Sequence, residues 1–154
     1  MRYGALAVAG LLLCGVAGLY ADEGKPNLSG SWKLAPGQSE TGQGRNDLSL
    51  LIDEKGDNIH VKETRGPDSK DDVSEFTCTT LGKECAMQDG GDKATVLVYY
   101  NGPLLVILKT HGRKGSVVEK QRLSLSPAGD ALTMEVMCLE PESKTEKLTF
   151  AKAQ

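Results

Sequence analysis

Between Gly30 and Lys152 the sequence breaks into short segments of roughly six to ten residues, each bounded by Gly, Asp, Asn or Pro. The expected strands are residues 30–35, 47–53, 58–65, 73–80, 83–88, 94–100, 104–111, 117–126, 131–139 and 146–152. Between them lie EKGDN at 54–58, RGPDSKDD at 65–72, LGK at 81–83, DGGD at 89–92, NGP at 101–103, GRKG at 112–115 and SPAGD at 126–130. Gly, Asn and Asp tolerate the left-handed backbone that tight reversals need. Repeated at this spacing, they predict an antiparallel meander with no room for a long helix.

Alternation within the segments agrees. Leu48, Leu50 and Ile52 share one face, as do Leu132, Met134, Val136 and Cys138, with Thr133 and Glu135 turned away. On the strand from Val117, the phase of Glu119 and Gln121 runs into Leu123 and Leu125, opposite Lys120, Arg122 and Ser124. Period two with one polar face is what a half-buried strand requires. The run from Leu104 to Leu108 is apolar on both faces, and Pro103 and its β-branched content favour strand there too. Strands with one apolar face must bury it, and closing the sheet on itself removes the exposed edges as well. Short links favour closure over a Greek-key sandwich, which needs a long crossover. The expected fold is all-β, an antiparallel up-and-down β-barrel of eight to ten strands. A membrane-spanning barrel would need aromatic girdles and an apolar outer band. Beyond residue 21 the aromatic residues are Trp32, Phe76, Tyr99, Tyr100 and Phe150, and the outward positions read as Lys, Glu, Thr and Ser.

The barrel segments follow an apolar start, MRYGALAVAGLLLCGVAGLYADEG, in which Arg2 is the sole charge before Asp22. A positive residue, an apolar core and small residues at its end are the pattern of a secretory signal peptide. Residues 1–21 are expected to be removed after Ala21, with Ala17 as the alternative cleavage point. The apolar stretch falls short of the ~20 residues that span a bilayer, and no later stretch approaches that length. Cys14 follows LLL as an acylated lipoprotein cysteine can, but Leu13 occupies the position where such signals carry Gly, Ala or Ser. The mature chain is therefore expected in the periplasm or outside the cell. Residues 22–29 would form an N-terminal arm and residues 30–154 a single barrel domain. The whole chain carries 18 basic and 21 acidic residues, a net charge of −3. Without a basic patch, nucleic acid is not an expected partner.

The stretch NLSGSWKL at 27–34, with the sole Trp of the chain, resembles the Gly-x-Trp signature on the first strand of the calycin barrels. These are the lipocalins, the fatty-acid-binding proteins and their relatives. The chain is most similar to exported bacterial lipocalin-like proteins of unassigned function, which begin N-L-S-G-x-W-K-L and continue through a P-x-x-S segment, here Pro36 to Ser39. RGPDSKDD and TTLGKE at 79–84 resemble their hairpins. The resemblance implies a lipocalin-like barrel in which Gly30 and Trp32 are structural, the indole closing one end. The final strand, EKLTFAKAQ, lacks the Arg-x-Tyr pair that holds the ligand carboxylate in fatty-acid-binding proteins. LSGSWKL is also similar to the opening of periplasmic inhibitors of secreted metalloproteases, which act through an N-terminal arm; here DEGKPN at 22–27 would supply it.

Three cysteines remain beyond the signal segment. A hairpin centred between Leu81 and Gly82 sets Cys78 opposite Cys85, close enough for a disulfide with slight tightening. Such a bridge persists in an oxidising compartment. Cys138, in phase with Val136 and Met134, reads as a small core residue, with a bridge to one of the other two as the rival. C-x6-C with two separate histidines matches no usual zinc spacing, so no metal is expected. His60 is expected to face solvent, and His111 precedes a turn. Asp53/Glu54, Asp71/Asp72 and Glu140/Glu142 read as solvated turn carboxylates. No phosphate loop, nucleophile elbow or H-E-x-x-H motif occurs, so neither a cofactor nor catalysis is expected.

The leading functional expectation is a binding module for a small apolar ligand. Its interior would be lined by Leu50, Ile52, Val61, Phe76, Val98, Leu123, Met134 and Val136, with Val96, Leu125 and Phe150. The alternative is a protein-interaction or inhibitor barrel acting through its rim or its arm, with the protein partner unknown. A continuous void of about 300 Å³ or more favours the first; a filled interior favours the surface.

Overall fold

The computed structural model describes residues 24–39, 47–66, 73–111, 117–140 and 143–153. The expected signal segment and Cys14 lie outside these residues. Ten strands run β1 (Gly30–Leu34), β2 (Leu48–Lys55), β3 (Asn58–Arg65), β4 (Val73–Thr79), β5 (Leu81–Asp89), β6 (Asp92–Asn101), β7 (Leu104–His111), β8 (Val117–Leu125), β9 (Ala131–Cys138) and β10 (Lys144–Lys152). Each boundary lies within two residues of the expected one. Every strand pairs antiparallel with its chain neighbours, and β1 pairs with β10 to close the barrel. The up-and-down barrel therefore forms with the upper of the expected strand numbers.

Closure rests on short pairings. β1 pairs Trp32 with Lys152 and Leu34 with Phe150 on one side, and Gly30 with Ile52 and Trp32 with Leu50 on the other. Bonds just beyond the strand ends extend the seam. Ala35 N–H donates to Thr149 O at 2.8 Å, and Ala153 N–H to Ser31 O at 2.8 Å. After the 3-10 turn at Pro36–Gln38, the Ser39 hydroxyl accepts Thr149 N–H at 3.0 Å and donates to Ala35 O at 2.9 Å. The serine of the P-x-x-S segment thus fastens the chain to β10 as it leaves β1.

One end of the barrel is shut by the residues around the Gly-x-Trp signature. Asn27 Oδ1 accepts Ser29 N–H at 2.9 Å, turning the chain so that Leu28 points inward. The Trp32 indole N–H donates to Leu28 O at 3.0 Å, while Lys152 Nζ lies 5.5 Å from the ring centre. Gly30 has φ of 150°, and a Cβ there would come within 3.1 Å of Lys152 Cε and 3.6 Å of the indole nitrogen. Glycine at this point lets the indole lie flat against the backbone. Lys25 reaches across the same end, donating to Gly56 O at 2.9 Å and to Thr80 Oγ1 at 3.2 Å over the Tyr100 ring. The Tyr100 hydroxyl donates to Glu54 Oε1 at 2.7 Å. Glu54 is thus half-buried and bonded inside the cap, not a freely solvated turn carboxylate.

The outer wall is less polar than expected. On β7, Leu105 and Ile107 face the interior, and Val106 faces outward yet is only 2% exposed. Its register partners are Tyr99 and Arg122, so an apolar strip flanks the Arg122–Glu135 ion pair. This accounts for a strand apolar on both faces. His60 lies on the outer wall of β3 as expected, half-buried and 2.8 Å from Glu75.

Phe76 opposite Met87 sets the β4–β5 register, which brings Cys78 to Cys85 with Cα atoms 5.6 Å apart in a formed disulfide. Cys138 is a free, half-buried thiol packed against the core, so the rival bridge is absent. Closing so short a loop removes chain entropy worth roughly 2.5 kcal/mol from the unfolded state. Replacing both Cys78 and Cys85 with Ala is expected to lower unfolding free energy by about that amount. Urea titration would detect it as a lower midpoint.

Candidate functional site

The interior has two chemically distinct halves. Towards the end closed by Trp32, strand alternation stacks Ile59, Val98, Leu105, Ile107, Leu132, Met134, Leu148 and Phe150, none with measurable accessible surface. Side chains with no accessible surface line no void wide enough for water, so this floor is packed. Accessible surface reappears one layer away, at Val61 (5%), Phe76 (5%), Met87 (4%) and Ala94 (8%). These residues lie nearer the opposite end, where β3 and β7 finish and β4 and β8 begin.

The expected lining residues divide accordingly. All eight are buried in one apolar cluster. Ile52, Val98, Leu123 and Met134 belong to the sealed floor, together with Phe150, while Val96, opposite Lys109, and Val136, opposite Gln121, are as tightly buried at the level of the polar side chains described next. Val61 and Phe76, and to a lesser extent Leu50, border the layer that still carries accessible surface. Leu125 is half-buried against the same cluster.

Above that layer sits a group of buried charges not foreseen from the sequence. Glu63 on β3, Lys109 on β7, and Glu119 and Gln121 on β8 project inward by the alternation that turns Val61, Ile107 and Leu123 inward. Lys109 Nζ is 3.2 Å from Glu119 Oε1 and 3.6 Å from Glu63 Oε2. The Gln121 side-chain amide donates to Glu119 Oε1 at 2.8 Å and to Glu63 Oε2 at 3.4 Å. The Arg65 guanidinium holds Glu63 Oε1 at 2.9 Å. Since β3 and β7 stand four strands apart around the barrel, the Glu63–Lys109 contact crosses the lumen. It forms a polar crossbar between the apolar layer and the end of the barrel away from Trp32.

The electrostatics of the crossbar follow from burial and proximity. Burial alone would depress both cations, but Glu63 first, then Glu119 and Asp89, outweigh it and hold Lys109 and Arg65 above their ordinary values. Lys109 is therefore a buried ammonium. Its nitrogen lies beside two carboxylates without completing a well-aligned hydrogen bond to either. At the closed end, burial, with Glu54 accepting its proton and placing a charge nearby, pushes the Tyr100 hydroxyl up.

A sequence signal for the crossbar existed. Glu63, Lys109 and Glu119 each sit in the apolar phase of a strand near its end. What alternation does not carry is that these ends meet across the lumen. His111 ends β7, and its side chain lies outside the described residues, as do Asp71, Asp72 and Glu142. Among the described residues, no group of three metal-binding side chains occurs, and no helix is long and apolar enough to cross a membrane. Two open hollows on the outer wall, about 270 Å³ beside Lys33, Leu51 and Lys62 and about 230 Å³ beside Leu104 and Arg122, lie outside the lumen.

Removing one member of a buried charge network leaves its partner uncompensated, at a cost of about 3–5 kcal/mol. Lys109→Met is expected to destabilise the barrel by that order, and adding Glu119→Gln should recover part of the loss. Because Lys109 is raised in the folded state, its contribution is complete below the unfolded lysine value of about 10.4 and fades as pH climbs through the folded one. The stability gap between wild type and Lys109→Met, measured by urea unfolding, should stay level from about pH 7 to 10 and shrink above.

No protein-family model matches the chain, and no curated protein matches it in sequence. Among solved structures, human cRBP IV superposes with a TM-score of 0.59 at 18% identity, over 83% of this chain and 99% of its own. The REP1-NXSQ fatty acid transporter superposes at 0.61 with 14% identity, over 82% of this chain and 96% of its own. At such identities the likeness is one of fold. The chain folds as a closed ten-stranded antiparallel barrel, lipocalin-like in architecture.

Proposed function

We propose that the protein is an exported binding barrel that takes up a small apolar molecule at the end opposite Trp32. The observation that carries this reading is the layered lumen. One end is sealed by packed aliphatic and aromatic side chains, and the other is spanned by buried charges. The layer between retains accessible surface at Val61 and Phe76, and Met87 and Ala94 carry it past Lys109 to the mouth of the barrel. A barrel that needed only to be stable would gain from apolar residues in place of Glu63, Lys109 and Glu119, since buried ion networks seldom outperform well-packed hydrophobic ones. Ten strands also enclose a wider lumen than the eight whose side chains just fill their own interior. The solved structures of this fold include a protein described as a fatty acid transporter.

The ligand body would sit against Leu50, Val61 and Phe76. Ile52, Val98, Leu123 and Met134 would form a floor that repacks around it, with Val136 on the wall above, Met134 being the most adaptable side chain of the floor. Export is supported by the signal-type start of the sequence and by the Cys78–Cys85 bridge, since such bridges persist in oxidising compartments. An inhibitory role for the N-terminal arm would require Lys25, Pro26 and Leu28 to leave the closed end, where Lys25 is hydrogen-bonded, Pro26 O accepts from Tyr100 and Leu28 is fully buried.

Native mass spectrometry of the chain purified from its own host, without organic solvent, tests the proposal. One small apolar molecule should appear as added mass, lost on extraction and regained on addition. Val61→Phe, which extends into the layer that retains accessible surface, should weaken uptake at least tenfold while the barrel stays folded by circular dichroism. Bare chain mass, with no uptake of any lipid offered, would overturn it.

A further inference from the structure

An apolar lining does not determine which polar group a ligand carries at its outer end, but the crossbar does. Lys109 is 2% exposed, and its ammonium lies 3.2 Å from Glu119 and 3.6 Å from Glu63, yet no well-formed hydrogen bond satisfies it. The positive charge of Lys109 is thus matched while its capacity to donate is not. Glu63 is also held by Arg65 at 2.9 Å and by Gln121 at 3.4 Å, and Glu119 by Gln121 at 2.8 Å. Among the described residues of this group, Lys109 and Arg65 stand against Glu63 and Glu119, with Asp89 adding to the negative side, so neither cation lacks a carboxylate beside it.

Resting on the binding function proposed above, we infer that the barrel selects a ligand whose polar end is an uncharged oxygen, the hydroxyl of an alcohol or the carbonyl of an amide, received by Lys109 Nζ. A carboxylate arriving there would be the third anion around one ammonium, and in this desolvated setting an uncompensated charge costs far more than a neutral dipole. An amine would bring a third cation beside Lys109 and Arg65. A neutral oxygen accepts the unused N–H without disturbing either ion pair, and a hydrogen bond to a charged donor is among the stronger kinds.

Isothermal titration of the full mature chain at pH 8 with decanol, decanamide, decanoate and decylamine reads the preference directly. Decanol and decanamide should bind at least about tenfold more tightly than decanoate or decylamine. Glu119→Gln unmasks the charge of Lys109, so the affinity for decanoate relative to decanol should rise at least about tenfold. Lowering the pH with wild type should tighten decanoate as its own carboxyl protonates, a readout that needs no variant. Decanoate or decylamine binding wild type as tightly as decanol would overturn the inference and leave the binding function standing. Glu119→Gln leaving decanoate unimproved relative to decanol would also overturn it. Binding of none of the four would remove the function on which it rests.

Discussion

The barrel depends on the closure of β1 between β2 and β10. β1 spans only Gly30–Leu34, and three residue pairs join it to β10. Without this seam, β2 and β10 would be open edges and the lumen a groove, with Leu50, Leu148 and Phe150 facing water. So short a strand needs help, and the neighbouring sequence supplies it on both sides. Asn27, Leu28 and Ser29 lock the entry, Ser29 Oγ accepting Glu54 N–H at 2.9 Å. Ser39 locks the exit against Thr149. NLSGSWKL and the P-x-x-S segment thus form one device that converts a meander into a barrel. Trp32 is its wedge, buried at the seam and hydrogen-bonded to the residue that plugs the end.

Closure also sets the electrostatics of the lumen. Charges enclosed by ten strands lose their hydration and must find partners inside. Glu63 and Lys109 do so across the barrel, although neither shares a hydrogen-bonded strand pair with the other. The contact ties opposite walls together, and its strength depends on the absence of water. A ligand entering from this end meets the crossbar before the apolar layer. On the proposed binding function, a ligand there would have to offer replacement contacts for those it loosens, and the crossbar would act as a chemical filter as well as a strut.

Much of the fold was legible in the sequence because strand alternation and turn residues are local signals. Leu132, Met134 and Val136 announced their inward phase, and the symmetry of the TTLGKE turn set Cys78 against Cys85 before any coordinates. The crossbar was not legible, for a physical reason. Glu119 and Gln121 looked like an apolar phase fading towards a strand end, and nothing local singled out Lys109 after the apolar run from Leu104 to Leu108. Only barrel curvature brings Lys109 to Glu63, and curvature is a property of the whole sheet. Glu54 was misread on the same grounds. It lies beside a turn, but its partner Tyr100 arrives from a strand far along the chain. The outer position of Val106 was ambiguous for the converse reason, since alternation cannot assign faces where both are apolar.

The two ends of the lumen use opposite strategies for the same problem. At the Trp32 end, backbone carbonyls are satisfied by nearby donors: Leu28 O by the indole, Gly56 O by Lys25, Pro26 O by the Tyr100 hydroxyl at 3.2 Å. These bonds join the chain to itself, and a ligand that displaced them would have nothing equivalent to return. At the other end, side chains satisfy one another through charge, and Lys109 keeps unused hydrogen-bonding capacity. Opening the first end breaks the seam on which closure depends. Loosening the second exchanges one set of polar contacts for another and leaves the ladder between β1 and β10 intact. On the proposed binding function, the direction of entry follows from the energetics of closure: a ligand would exchange where side chains hold the barrel shut, and not where the backbone does.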